Sequence, residues 1–300
     1  MVGANIAWYL FFIGAGSGAY LIGSCIDFAL RFSEHPWLLR ASTITDPGLI
    51  IGPVLVALSS VFLIFDLGVP EHAFYVYLYP SGSLLSLGSW AILLFVLASC
   101  ISLVLGYVEI NVLGRTLEIV SSIIATVLAG FTLIYSGIYF SMYPSIPFLH
   151  TPLLPVLFII SGLTTGMASL LLIGFIRLAR NQRPYAIDSL IYLDISFIVI
   201  ELIILTAFMM FSGFGDQEQL HSALSLLVGP YCILFWIGIV LTGLILPLAL
   251  DIFTTQQSSA VLLAIGALST LIGGICLRFG LLMATNRLCL STMINLVFWQ

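Results

Sequence analysis

Apolar residues run along this protein in stretches of about 20 or more, broken only by brief polar connections. A soluble amphipathic helix shows a polar face every three or four residues, and these stretches show none. A helix needs about 20 residues to cross a hydrocarbon core. Eight stretches qualify, at residues 5–31, 47–66, 86–109, 116–142, 153–178, 187–212, 222–251 and 258–284. The connections between them, such as Glu34-His35-Pro36 and Asn181-Gln182-Arg183-Pro184, are too short to form a separate soluble domain. The pattern predicts an all-α membrane protein with one polytopic domain over residues 1–300.

Composition supports lipid as the main solvent. Hydrophobic residues make up 61% of the sequence and charged residues 7%, at a mean hydropathy of +1.21. A soluble domain carries roughly a quarter charged residues to cover its surface, and this protein has too few. The net charge of −5 therefore describes loops and helix ends, and implies no nucleic-acid partner. Residues 1–7 contain no basic side chain, and the first apolar run exceeds a signal-peptide core. The first span is expected to stay in the mature protein.

Every basic residue is an arginine, and position carries the orientation. Arg31, Arg40, Arg115, Arg177, Arg180 and Arg183 sit at the first, third and fifth connections. Arg278 falls within span eight, and Arg287 alone belongs to the opposite side. The positive-inside rule then makes the odd-numbered connections cytoplasmic. Both termini are expected outside, on the periplasmic side of a bacterial or archaeal cytoplasmic membrane.

Several cofactor signals are missing. The five cysteines contain no C-x-x-C pair, so no iron–sulfur cluster or zinc site is expected. The four histidines (His35, His72, His150 and His221) fall in connections or at span ends, so none is placed to hold a membrane haem. Gly14-x-Gly16-x-x-Ala19 matches the dinucleotide fingerprint, but that motif needs a preceding strand and a soluble βαβ unit. An apolar helix runs straight through instead. Gly14 and Gly18 form G-x-x-x-G, which lets membrane helices approach closely, and helix packing is the expected role.

Ionisable groups inside a bilayer are functional candidates by default. Asp27, Glu109, Glu118, Asp188 and Asp251 lie near the cytoplasmic helix ends, where solvation or pairing with arginine accounts for them. Glu118, for example, is one turn from Arg115. Asp194 and Glu201 differ: seven residues apart in span six, they share one face and sit roughly 10 Å apart along the axis. They are read either as a proton route or as a structural hydrogen bond between helices. A second polar group collects toward the outer face: Asn5, Trp8, Asp66, His72, Tyr135, Tyr139 and Arg278. Such a set suits a quinone head group, donating hydrogen bonds to its carbonyls and exchanging protons with it.

The ordered segments resemble the NrfD/PsrC-type membrane subunits, the polysulfide reductase NrfD family. The segments are WYLFFIGAGSGA at 8–19, DLGVPE at 66–71, SLGSW at 86–90, LIYSG at 133–137, IPFLHTPLLPVLFIISGL at 146–163, LDISFIVIE at 193–201 and GGICLRF at 273–279. The resemblance implies eight helices in two four-helix bundles, about 1–142 and 143–284, with an outward tail at 285–300. It implies a haem-free subunit of a respiratory complex that exchanges electrons with menaquinone or another quinone as exchangeable substrate. A ferredoxin-like four-cluster iron–sulfur subunit and a molybdopterin catalytic subunit would dock on the outer face.

By the same resemblance, Tyr135 stands where the family contacts a quinone carbonyl. Asn5 and Asp66 match further positions at the quinone end, Asp194 and Glu201 the polar positions of span six, and Arg278 the arginine of span eight. Many relatives carry basic residues where Val69 and His72 stand, so Val-Pro-Glu-His departs from the family pattern. The expected chemistry assigns Tyr135, Asp66 and His72 to catalysis, and Asn5, Tyr135, Tyr139, Asp66 and Arg278 to quinone binding. A proton pathway would use Asp194, Glu201, Asp27 and Glu109. Read from the residues alone, a secondary transporter or ion channel using Asp194 and Glu201 also stays open, as does an anchor without quinone chemistry.

Overall fold

A computed structural model describes residues 4–33, 35–66, 75–78, 83–107, 112–142, 146–178, 186–257 and 259–298. These form α1 (Ala4–Phe32), α2 (Pro36–Asp66), α3 (Tyr75–Leu78), α4 (Leu84–Tyr107), α5 (Val112–Ser141) and α6 (Leu153–Leu178). They continue as α7 (Ala186–Gly213), α8 (Gln217–Leu227), a π-helical segment (Leu234–Ile245), α9 (Leu246–Gln257) and α10 (Ala260–Phe298). Among the described residues there is no strand, and eight helices are long and apolar enough to cross a membrane. The protein is a multi-pass, all-helical membrane protein.

Most spans coincide with the apolar runs, and the differences have local causes. The run at 222–251 is not one helix. It breaks after α8, where Gly229-Pro230 lacks a helix-compatible N–H and side chain, and restarts as the π-helical segment. There the Leu246 N–H bonds the Leu241 carbonyl, five residues back. The longer repeat puts Gly238 and Gly243 on one side, against Cys276 and Gly273 of α10. Helix α2 starts at Pro36, eleven residues before the predicted run at 47, because the polar turn Thr43–Asp46 continues the helix.

Helix α1 is the centre of the packing, with 78% of its most apolar window buried, more than any other span. It touches α2, α5, α6 and α10. Small residues make this possible on two sides. Toward α2, a Cβ on Gly16 would stand 2.7 Å from the Gly52 carbonyl oxygen, and one on Gly48 would stand 2.6 Å from that of Ala19. Toward α6, Gly14 lies against the Gly162 Cα, and a Cβ on Gly18 would overlap the Gly162 carbonyl. Helix α6 answers with its own small pair, Gly162 and Gly166. The pairs run in opposite order against α2 and in the same order against α6, so α1 is antiparallel to one and parallel to the other. Ser17 Oγ and Thr132 Oγ1, 2.9 Å apart, tie α1 to α5.

The polarity is that of a protein in lipid. Val54, Leu58, Val61 and Phe65 form an exposed apolar stripe on α2, and Ile123, Ile124, Val127 and Phe131 do the same on α5. Hydroxyls instead face inward, among them Ser17, Thr132, Ser161, Thr164 and Thr165, each 1% exposed or less.

Close approach makes a clean test. Gly18→Ala places a methyl on the Gly162 carbonyl and should destabilise the protein by roughly 1–3 kcal/mol, as overpacking does. Gly130→Ala, with nothing within 4 Å of the added carbon, should be neutral or raise stability by up to about 1 kcal/mol. Thermal unfolding of the two variants in detergent measures the difference.

Candidate functional site

Two polar groups stand out, one near the amino-terminal end of α1 and one in the interior between α6, α7, α9 and α10. The first is built around Tyr135 of α5, which is 5% exposed. Gly88 of α4 lies directly against its ring, so a Cβ there would overlap the Tyr135 phenol. The Tyr139 ring follows one turn later, 5.8 Å centroid to centroid. Tyr9 of α1, also buried, faces both tyrosines. It is one turn beyond the half-buried Asn5, so both lie on the same side of α1.

An aromatic cluster lies beside it: Trp8 packs on Phe12, Phe62 and Phe279 with centroids 5.8–6.3 Å apart. Asp66 closes α2 at the same end, half-buried. Burial raises the pKa of the Tyr77 phenol in α3, which sits edge-on to Trp90 at 5.7 Å. His72 lies outside the described residues.

The second group is deeper. Arg278 of α10 is 1% exposed and donates from Nη1 to Ser161 Oγ at 2.5 Å and to the Gly274 carbonyl at 3.0 Å. Its guanidinium also lies 5.8 Å from the Phe158 ring. Gly14 makes room for it, because a Cβ there would meet Arg278 Nη2 at 3.2 Å. Glu201 of α7, 5% exposed, accepts from Thr164 Oγ1 at 2.5 Å and faces Ser161 and Arg278. Ser161 and Thr164, one turn apart on α6, thus bridge a carboxylate and a guanidinium held by two other helices.

A cavity of about 10 Å³ beside Glu201, lined by Thr164, Thr165, Thr270 and Gly273, has room for about one water. Farther along α7, Asp194 meets Asp251 of α9.

The structure gives several of these residues neighbours that the sequence does not show. Arg278, expected among the outer quinone-end residues, contacts Ser161, Gly274 and Phe158, with Gly14 and Glu201 beside it. Asp251 is expected at a solvated helix end and is instead 1% exposed. The apolar run stops at 251 but the helix runs on to Gln257, which leaves Asp251 inside. Glu118 pairs with Arg31 at 2.7 Å, not with its neighbour Arg115, and Asp27 joins the same arginine at 3.0 Å. Such partly exposed pairs contribute about 0–1 kcal/mol each.

Those three side chains, with Tyr20, Asp46 and Ser122, line a cavity of about 560 Å³ at the opposite end from Tyr135. Glu109 lies outside the described residues. Sequence reasoning missed Tyr9, Ser161, Thr164 and the inward position of Asp251; the first has a legible signal in its spacing from Asn5. Among the described residues no three His, Cys, Asp or Glu side chains gather to hold a metal.

Residues 2–288 match the family model described as Polysulphide reductase, NrfD. The protein belongs to the polysulphide reductase NrfD family. The C chain of polysulfide reductase from Wolinella succinogenes is 30% identical over 93% of this sequence and 92% of its own length. Protein NrfD of Escherichia coli K12 is 30% identical over 93% of both sequences. An NrfD homolog of Haemophilus influenzae is 28% identical over 93% of this sequence and 92% of its own. Membership of the NrfD family agrees with the resemblance drawn from the ordered segments. Two of those segments meet in space, since Gly88 of SLGSW cradles Tyr135 of LIYSG.

The interior group predicts a measurable coupling. Arg278→Met removes the buried cation that faces Glu201 and should cost roughly 3–5 kcal/mol of stability. Adding Glu201→Gln should recover part of that loss, so that the double variant is more stable than additivity gives. Chemical or thermal unfolding of the four proteins in detergent completes the cycle.

Proposed function

We propose that this protein is the haem-free, quinone-reactive membrane subunit of a respiratory oxidoreductase. The observation that carries the reading is the buried Tyr135, held by Gly88 and flanked by Tyr9 and Tyr139 at one end of the bundle. A phenol held in place by close packing can donate a hydrogen bond that orients a quinone carbonyl. The aromatic rings of Trp8, Phe12 and Phe62 pack together toward the same end of α1.

In this scheme a quinol, such as menaquinol, binds at the end shared by Asn5, Asp66, Tyr135 and Tyr139, with Arg278 as the fifth binding residue. Its oxidation releases two electrons and two protons. Tyr135 and Asn5 orient the ring, and Asp66 and His72 receive protons. The electrons pass to a ferredoxin-like four-cluster iron–sulfur subunit on the outer face, and from there to a molybdopterin catalytic subunit. The polysulfide reductase relative supports a respiratory setting of this kind.

The architecture proposed is two four-helix bundles, α1, α2, α4 and α5 against α6, α7, α9 and α10, with both termini outside in the cytoplasmic membrane. Contacts of α4 with α5 and of α10 with the π-helical segment support that division, and α1 with α6 joins the halves. Asp194 and Glu201 of the interior group, Asp27 toward the opposite end, and Glu109 form the proposed proton pathway.

Tyr135→Phe keeps the ring and removes the donor. Quinol-dependent turnover of the purified complex should fall by about tenfold or more, with subunit composition unchanged. Full turnover in an intact complex refutes the role of Tyr135.

A further inference from the structure

Asp194 and Asp251 are each 1% exposed, come from different helices, and lie within hydrogen-bond reach of one another. Their remaining oxygens, Asp194 Oδ1 and Asp251 Oδ2, have no partner. An ionised carboxylate has only acceptors. Two of them therefore make a hydrogen bond only with a hydrogen between them. The charged groups that face the pair are Glu201 on α7 and, behind it, Arg278 on α10. The ion pairs formed by Arg31 lie at its own helix end, on α1 and α5. Leaving two bare charges in a dry interior costs several kcal/mol for each.

We propose that Asp194 and Asp251 form a proton-holding carboxyl pair, which keeps one shared proton and takes up a second on one of its two unpartnered oxygens. The exchangeable proton passes on to Glu201, seven residues along the same face of α7 and roughly 10 Å away. That distance exceeds a direct hydrogen bond, and the one-water cavity beside Glu201 supplies part of the relay. Gly266 of α10 forms the wall next to the pair, where a Cβ would stand 3.3 Å from Asp251 Oδ1. This role rests on the proposed reading that protons cross the protein during quinol turnover.

The test uses the complete complex in liposomes. Infrared difference spectra in H₂O and D₂O should show a protonated-carboxyl stretch that is lost in Asp251→Asn and in Asp194→Asn. Asn preserves shape and can donate the hydrogen bond, so folding should survive; if one variant fails to assemble, the other makes the same test. With an uncoupler present, Asp251→Asn should keep quinol oxidation within about twofold of the unchanged protein, because the residue does not touch the quinone end. Without the uncoupler, its proton-to-electron ratio should fall clearly.

Absence of a carboxyl band assignable to either residue overturns the pair, and an unchanged proton ratio in a variant that has lost the band overturns the relay. Sodium-dependent turnover that is lost in the same variants also overturns it, as the mark of a cation site. If the unchanged complex moves no protons, the pathway reading fails instead, and the band then decides the pair alone.

Discussion

Backbone contact of α1 with α2 and α6 is the constraint that the other contacts obey. Lipid tails are as apolar as leucine, so membrane helices gain little by hiding apolar surface from one another. Close packing and interhelical hydrogen bonds hold them instead. Glycines on opposite sides of α1 admit α2 at Gly48 and Gly52 and α6 at Gly162 and Gly166. Once those backbones touch, the side chains around them have little freedom. Arg278 fits because Gly14 has no side chain, and Ser17 reaches Thr132 because α5 is drawn in beside α1.

The same economy of space positions the buried polar groups. A large, buried cation needs a tailored slot, and Arg278 has one, formed by Gly14, Gly274 and Ser161. At the Tyr135 end the logic repeats with Gly88, whose lack of a side chain on α4 leaves room for a phenol from α5. In both places glycine works as a shaped absence that decides where a polar group sits. The dinucleotide-like string at residues 14–19 is therefore architectural.

Much of the fold is legible in the order of residues. Length and apolarity mark the spans because a bilayer leaves the backbone few alternatives to helix. Where spans and helices differ, tertiary or local backbone chemistry intervenes: Gly229-Pro230 splits one run, and the helix after it carries Asp251 inward. The polar residues of each span are visible as candidates, yet their partners are not. A carboxylate near a predicted helix end looks the same in sequence whether it meets Arg31, as Glu118 does, or another carboxylate, as Asp251 does.

By itself the sequence determined the all-helical membrane class, the approximate spans, the family, and which polar residues stand in apolar surroundings. These follow from composition, periodicity and the order of short motifs, all of which are local properties. The tertiary structure decided which helices touch and which groups meet: Tyr9 with Tyr135, Ser161 between Arg278 and Glu201, and Asp194 with Asp251. Such pairings depend on the rotation and depth of helices far apart in sequence. Those are set by a handful of glycine contacts, and no single span records them.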